Sequence, residues 1–362
     1  MEILNYLYEN PPIFQNNIAR KIKINSSKAL ICGQLNSGKS QILLNLLFKN
    51  QKDEILYINL DDLRLNFDET DFLKFLNLNK KIKFIGIDNL KTNDSKLLKI
   101  IENLSSSNTN IENIYLTTRQ KSLNLNGFKT YNLNMLDFEE FIALEGKTND
   151  LGAIFSEFLT RGNSINDKIS IQNNLKANYN ENELLVLLEC AKFVNQNFST
   201  NKIYTNLKEF YKISKDKVYE AVFRLEDEGI IKFVPKFQST SKRIYFGDFA
   251  FMDNLSYKKH FIKKLQNALL CELLTLNKEI YFTDDFDFYL PNENLQNQNL
   301  AFLIIPFTTS EFIYLKFKKL FEKLKKMRIS KLYAITMGNE ESFTIEGIKC
   351  EITPFWQYAL SI

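Results

Sequence analysis

Gly33-Gln34-Leu35-Asn36-Ser37-Gly38-Lys39-Ser40 is the stretch that decides the reading of this chain, because it completes the pattern G-x-x-x-x-G-K-[ST]. Its surroundings suit the pattern. Lys28-Ala-Leu-Ile-Cys32 has the character of a short buried strand, and Gln41-Ile-Leu-Leu-Asn-Leu-Leu47 reads as a helix. Glycines let successive backbone N–H groups wrap around phosphate oxygens, and the helix N-terminus adds its partial positive charge. Gly33, Gln34, Asn36, Ser37, Gly38, Lys39, Ser40 and Gln41 are therefore the expected contacts of a nucleoside triphosphate. Lys39 is expected to reach the β- and γ-phosphates, and the Ser40 hydroxyl to ligate Mg2+.

Working outward, a β-rich run, Glu54-Ile-Leu-Tyr-Ile-Asn-Leu60, ends in Asp61-Asp62. A polar helix over 72–78 separates it from Ile82-Lys-Phe-Ile-Gly-Ile-Asp88. A helix over 95–104 and a strand, Ile114-Tyr-Leu-Thr-Thr118, follow. Strands alternating with helices predict an α/β fold, a parallel sheet layered between helices and joined by right-handed crossovers. In such sheets ligands bind at the carboxyl ends of the strands, where Gly33, Asp88 and Thr118 fall. A carboxylate closing an apolar strand downstream of the loop holds Mg2+ through water in P-loop NTPases, which makes Asp88 the second metal-site candidate with Ser40. Many hydrolysing NTPases place Glu next, to polarise the attacking water. This chain has Asn89, and an amide cannot accept a proton, so slow hydrolysis is expected.

At 362 residues the chain is long for one core. A net charge of +4 does not by itself argue for nucleic acid, although Lys316-Phe-Lys-Lys319 and Lys323-Leu-Lys-Lys-Met-Arg328 are locally basic. Cys32, Cys190, Cys271 and Cys350 lie far apart, and the single histidine, His260, rules out a His-rich metal site. Widely spaced cysteines without a C-x-x-C pair, no apolar run of membrane-spanning length and a start unlike a signal peptide lead to the expectation of a reduced, cytoplasmic protein.

From 181 the character changes. Helical periodicity over 182–193, 203–211 and 214–228 precedes two short β-runs, Ile230-Ile-Lys-Phe-Val234 and Arg243-Ile-Tyr-Phe246. Ser214 is the expected N-cap of the third helix. Three helices and a hairpin describe a winged helix, whose third helix would read DNA with Lys215, Lys217 and Arg224, against Glu220, Glu226, Asp227 and Glu228. The last part predicts a helix over 261–276 and strands over 279–282, 286–290 and 300–307. An Asn-rich turn over 292–299, a helix over 312–328 and a strand over 331–337 complete it. Pro354-Phe-Trp-Gln-Tyr358 is read as anchoring a helix on the core.

Together these features resemble a bacterial and archaeal group of AAA-type ATPases that join a P-loop domain to a winged helix and a restriction-endonuclease-like C-terminal domain. Gly33–Ser40 resembles the group's G-x-R-x-x-G-K-[ST], with Leu35 where Arg is common. Tyr57-Ile-Asn-Leu-Asp-Asp-Leu-Arg64 is similar to its second-strand signature. Leu136-Asp-Phe-Glu-Glu-Phe141 is similar to its L-S-F-x-E-F segment, residues 155–162 to its lid, and Arg243-Ile-Tyr-Phe-Gly-Asp248 to the strand opening its C-terminal region. The resemblance implies a P-loop domain over 1–150, lid helices over 151–180, a winged helix over 181–250 and a nuclease-like domain over 251–362. It also implies a polar catalytic sensor at Thr118, beside Arg119, to join Lys39 and Asp88.

A nuclease of that kind would hold metal with Asp287 and with a Glu-x-Lys on the next strand. Leu300-Ala-Phe-Leu-Ile-Ile-Pro-Phe307 carries no ionisable side chain, so nuclease activity is not expected. The leading expectation is a Mg·ATP-binding AAA-type protein with slow or partner-dependent hydrolysis, its nucleotide state setting the arrangement of its C-terminal domains. A neighbouring copy in a homo-oligomer could assist. The alternative is a winged-helix regulator of duplex DNA with ATP as a structural ligand.

Overall fold

Lys28–Gly33 forms β1, and Ala29, Leu30 and Ile31 within it are fully buried, as befits a strand covered on both faces. The computed structural model describes residues 2–13, 20–66, 69–106, 110–146, 150–165, 171–292 and 299–362. Two units arise by contact, Met1–Met135 with Asp227–Gly229, and Leu136–Glu226 with Ile230–Ile362.

The first unit runs α1 (Glu2–Glu9), β1, α2 (Lys39–Leu47), β2 (Ile55–Asn59), α3 (Glu69–Leu78), β3 (Phe84–Leu90), α4 (Ser95–Ser106), β4 (Asn113–Thr118) and β5 (Lys129–Leu133). Its five strands lie in the order β2-β3-β4-β1-β5, and every pairing is parallel. The expected α/β sheet is therefore present, with one more strand than the sequence disclosed. After β1 the chain crosses to the far edge and fills back through β3 and β4, then passes beyond β1 to β5. That reversal puts the crevice between β1 and β4 where open sheets bind ligands. Ile85, Ile87, Leu30 and Leu116 pack on the helix side that holds Phe72, Phe75 and Ile101. On the other face Ala29, Phe84 and Tyr115 meet Leu43 and Leu47 of α2.

Gly86 makes that second packing possible. A Cβ there would stand 2.5 Å from Leu47 Cδ1 and 2.8 Å from Leu43 Cδ2, so only a bare backbone lets α2 settle on β3.

The second unit begins with α5 (Phe138–Glu145), α6 (Leu151–Arg161), α7 (Ile171–Asn178), α8 (Glu181–Ala191), α9 (Thr200–Lys208) and α10 (Lys215–Asp227). The antiparallel strands β6 (Ile231–Pro235) and β7 (Lys242–Phe246) follow, then α11 (Phe251–Leu255) and α12 (Phe261–Leu274). The remainder is β8 (Phe288–Leu290), β9 (Asn299–Ile304), α13 (Ser310–Lys326), β10 (Ile329–Thr336), β11 (Glu341–Ile345), β12 (Ile348–Pro354) and α14 (Phe355–Ala359). These strands order as β11-β12-β10-β9-β8, parallel through β9, β10 and β12 and antiparallel at both edges.

The Leu136–Phe141 stretch that carries much of the family resemblance is a helix start. Asp137 accepts the Glu140 N–H at 2.8 Å, and Glu140 Oε2 accepts the Asp137 N–H at 3.4 Å, a reciprocal capping box. Phe138 and Phe141 are fully buried against Phe158, with centroids 5.3 and 5.0 Å away. Phe355 and Tyr358 are likewise buried, so the C-terminal aromatics anchor α14 on the core as read from the sequence. The Ser214 hydroxyl accepts the Lys217 N–H at 3.4 Å, as expected of the α10 cap.

One expectation for this unit needs correction. No strand forms over 279–282, because successive residues have different partners: Tyr281 bridges Tyr289, and Phe282 bridges Lys236. The hairpin of β11 and β12 was not anticipated; Glu341–Ile345 is a mostly exposed edge strand without an apolar run. Residues 293–298 of the expected Asn-rich turn lie outside the described residues. No disulfide joins the four cysteines, and all of them are buried.

Replacing the bare backbone at 86 tests the first unit's packing. Gly86→Ala is expected to lower stability by about 1–3 kcal/mol through overpacking, read as a reduced denaturant midpoint with an unchanged slope.

Candidate functional site

The loop between β1 and α2 has the backbone that its sequence requires. Asn36 (φ 63°) and Gly38 (φ 90°) both sit in the left-handed region, which turns successive N–H groups inward. At Gly33 a Cβ would stand 2.7 Å from the Leu133 carbonyl oxygen and 2.8 Å from Ser37 Oγ, so the loop closes against β5 only with glycine. Lys39, 6% exposed, folds back and donates from Nζ to the Gln34 carbonyl at 2.8 Å. Burial, followed by the nearby Arg119 charge, pulls its ammonium down to about 8, while Asp88 works the other way. Among the described residues, both polar atoms of the Gln34 carboxamide and the Ser37 hydroxyl are buried without a hydrogen-bond partner. Ser40 and Gln41, in the first turn of α2, are half-buried.

Arg20 braces the loop from behind, a role that the sequence did not disclose. Its guanidinium donates to the Ser37 carbonyl at 2.5 Å and to the Asn134 and Met135 carbonyls at 2.8 and 3.3 Å. The spacings of 17, 114 and 115 residues leave no local pattern to read.

Asp88, 1% exposed, stands where β3 loses register with β4, between Ile87 and Leu90. Its Oδ2 accepts the Tyr57 hydroxyl at 2.9 Å, and Oδ1 accepts the Thr117 hydroxyl. Burial first, and then the Asp88 charge and hydrogen bond, push the Tyr57 phenol well above its ordinary range, so it stays a donor. Asn89 takes a left-handed φ of 65°, which asparagine tolerates better than most residues. Its N–H donates to Thr117 Oγ1 at 3.0 Å and its Nδ2 to Asn59 Oδ1 at 2.9 Å.

The hydroxyl of β4 that meets Asp88 is thus Thr117. The Thr118 hydroxyl donates to the Leu90 carbonyl at 2.8 Å and accepts the Gln120 N–H at 3.1 Å. Alternation along a strand sends neighbouring side chains to opposite faces, and the bulge at 87–90 decides which one meets the carboxylate. Arg119 lies 3.5 Å from Asp61, which also pairs with Lys91 at 3.0 Å.

The donor set fits a magnesium nucleotide. Among the described residues no cluster of three or more His, Cys, Asp or Glu side chains could cage a metal alone. One hydroxyl, Ser40, and one carboxylate, Asp88, are the oxygen donors that would hold Mg2+ together with phosphates and water. The orphaned polar atoms at Gln34 and Ser37 and the cradle at Gly33 are an anion site's features.

In the second unit, Asp287 accepts the Ile304 N–H and the Gln266 side-chain N–H, both at 2.8 Å. Burial raises its pKa above the ordinary carboxylate value. Both hydrogen bonds tie the carboxylate to the fold. Arg224 is similarly committed, to Glu183 at 2.6 Å and to the Asn178 carbonyl at 3.3 Å.

No protein-family model matches the chain. It is 25% identical over 404 aligned positions to the uncharacterized protein MJ1544 of Methanocaldococcus jannaschii, covering 95% of this chain and 89% of that one. Among solved structures it is similar to the Walker-type ATPase PABY2304 of Pyrococcus abyssi, at 12% identity and a TM-score of 0.42, over 64% of this chain and 91% of that one. It is also similar to a STAND protein with a tetratricopeptide repeat sensor, PH0952 of Pyrococcus horikoshii. There the identity is 15% and the TM-score 0.29, over 68% of this chain and 43% of that one. No helix among the described residues is long and apolar enough to cross a membrane.

The depressed Lys39 ammonium predicts a pH dependence. Only its protonated form attracts phosphate, and in the free protein that form is lost as pH rises through about 8. The affinity for a fluorescent ATP analogue is expected to fall between about pH 7 and pH 9.5, with proton uptake on binding at the higher value. Lys39→Arg, which stays charged, is expected to flatten the profile.

Proposed function

We propose that the first unit is a Mg·ATP-binding ATPase module of slow intrinsic turnover. The observation that supports this most is the loop itself. A buried Lys39 is parked on the Gln34 carbonyl, beside unsatisfied polar atoms at Gln34 and Ser37 and one crevice away from Asp88. An arriving triphosphate supplies what these groups lack, and Lys39 exchanges a neutral carbonyl for phosphate oxygens. Gly33, Asn36 and Gly38 shape the cradle, and Ser40 and Asp88 hold Mg2+. Thr117, with Tyr57, orients Asp88, while Thr118 braces the end of β3.

Slow turnover follows from position 89. Its side chain is an amide engaged with Asn59, so no carboxylate stands there to take the water's proton. In the second unit, α8 to α10 with β6 and β7 have the element order of a winged helix, and the sheet that follows suits a nuclease-derived domain without nuclease chemistry. We read the nucleotide state as a switch for these C-terminal parts, with γ-phosphate ordering of a loop as the physical route. The commitment of Arg224 to Glu183 weighs against α10 as a reader of duplex DNA, leaving that regulator reading second.

Lys39→Ala is expected to abolish ATP binding in isothermal titration, and unchanged binding would sink the assignment. Asn89→Asp supplies a carboxylate on a residue that accepts the left-handed backbone. Single-turnover phosphate release is expected to be faster than in the wild type. An unaltered rate would show that position 89 is not the missing base.

A further inference from the structure

The second unit carries a surface that the nucleotide site does not explain. Tyr257-Lys-Lys-His-Phe-Ile-Lys-Lys264 contains four lysines and no carboxylate. Lys264 is neutralised by Asp253. Lys258, Lys259 and Lys263 form no ion pair among the described residues, and burial alone depresses the Lys263 ammonium. At this basic turn the Phe261 ring stacks on Phe307, with centroids 5.4 Å apart and planes 28° from parallel. Phe307 is 75% exposed and Tyr257 fully so. Phe261 packs against the Phe307 ring, most of which stays open to solvent.

An open aromatic face beside unneutralised cations selects a partner with planar rings and dense negative charge. A base pair inside a duplex offers neither of its faces, whereas an unpaired base offers both. A membrane surface would meet the charge but needs an apolar face running the length of a helix. Here the apolar face of α12 is turned inward, with Leu265, Ala268 and Leu269 in the core, and its outward apolar residues are confined to Phe261 and Ile262 in the first turn. We propose that Phe307 and Phe261, with Lys258, Lys259 and Lys263, form a binding platform for single-stranded nucleic acid. A base stacks on the outer face of Phe307 and the lysines meet the phosphodiesters. With stacking rather than edge recognition as the contact, the platform tolerates any base sequence.

The test uses the full chain and a fluorescein-labelled oligothymidylate of about 15 nucleotides, long enough for a platform of this kind. A duplex of the same length and phosphatidylserine vesicles are run beside it. The single strand is expected to bind in fluorescence anisotropy at low salt, and Phe307→Ala to weaken it roughly fivefold or more. Lys258→Gln with Lys259→Gln is expected to lower the slope of log affinity against log salt by about 0.7 per lysine. All these side chains are exposed, and unchanged melting curves confirm that the variants fold. Absence of single-strand binding, or binding that both variants leave unaltered, overturns the proposal. So does duplex binding of equal strength with the same loss on Phe307→Ala. Vesicle binding that the variants abolish, without single-strand binding, would assign the surface to a membrane instead.

Discussion

The phosphate loop closes against β5 through one close approach, in which the backbone of residue 33 lies where a side chain would collide with the Leu133 carbonyl and the Ser37 hydroxyl. Without that contact the loop could not turn back over the end of β1. The left-handed residues 36 and 38 would then have no fixed frame from which to aim their N–H groups. Arg20 secures the same closure from the other side, drawing the Ser37 carbonyl toward the carbonyls that follow β5. The site is therefore as much a product of β5 and of the segment before β1 as of the motif between them.

A second constraint shapes the centre opposite the loop. The irregularity in β3 sets Asp88 and Asn89 out of step with β4, so Thr117 meets both Asp88 and the N–H of Asn89. A fully buried carboxylate would be costly without partners, and the Tyr57 and Thr117 hydroxyls offset that cost. They also fix which oxygen points where. At position 89 the left-handed turn and the donor to Asn59 are both met by one amide side chain.

The parts legible in the sequence were those encoded locally. The motif, the apolar run ending in Asp88 and the alternation of strands with helices all lie within windows of a few residues. β5 escaped notice because Lys129-Thr-Tyr-Asn-Leu133 is an edge strand whose residues are mostly exposed, so it carries no apolar signature. β11, the outer strand of the hairpin with β12, hid behind the same polarity. Partners of the site were illegible for a different reason. Tyr57 and Thr117 meet Asp88 across 31 and 29 residues, and Arg20 meets Asn134 across 114. Which of the two β4 hydroxyls meets Asp88 was equally illegible, because strand alternation alone cannot anticipate a bulge. Leu136–Phe141 shows the converse, a stretch that reads as a family signature and acts as a helix cap with two core anchors.

The cysteines are placed so that each unit reports on itself. Cys32 adjoins Gly33 at the end of β1 and is the first unit's lone thiol, while Cys190, Cys271 and Cys350 belong to the second. Burial raises the thiol pKa of the latter three, so neither access nor ionisation favours attack while the unit stays folded. A thiol reagent therefore clocks opening rather than surface chemistry. The native chain carries one such clock beside its phosphate loop and three in the remainder, without any engineered label.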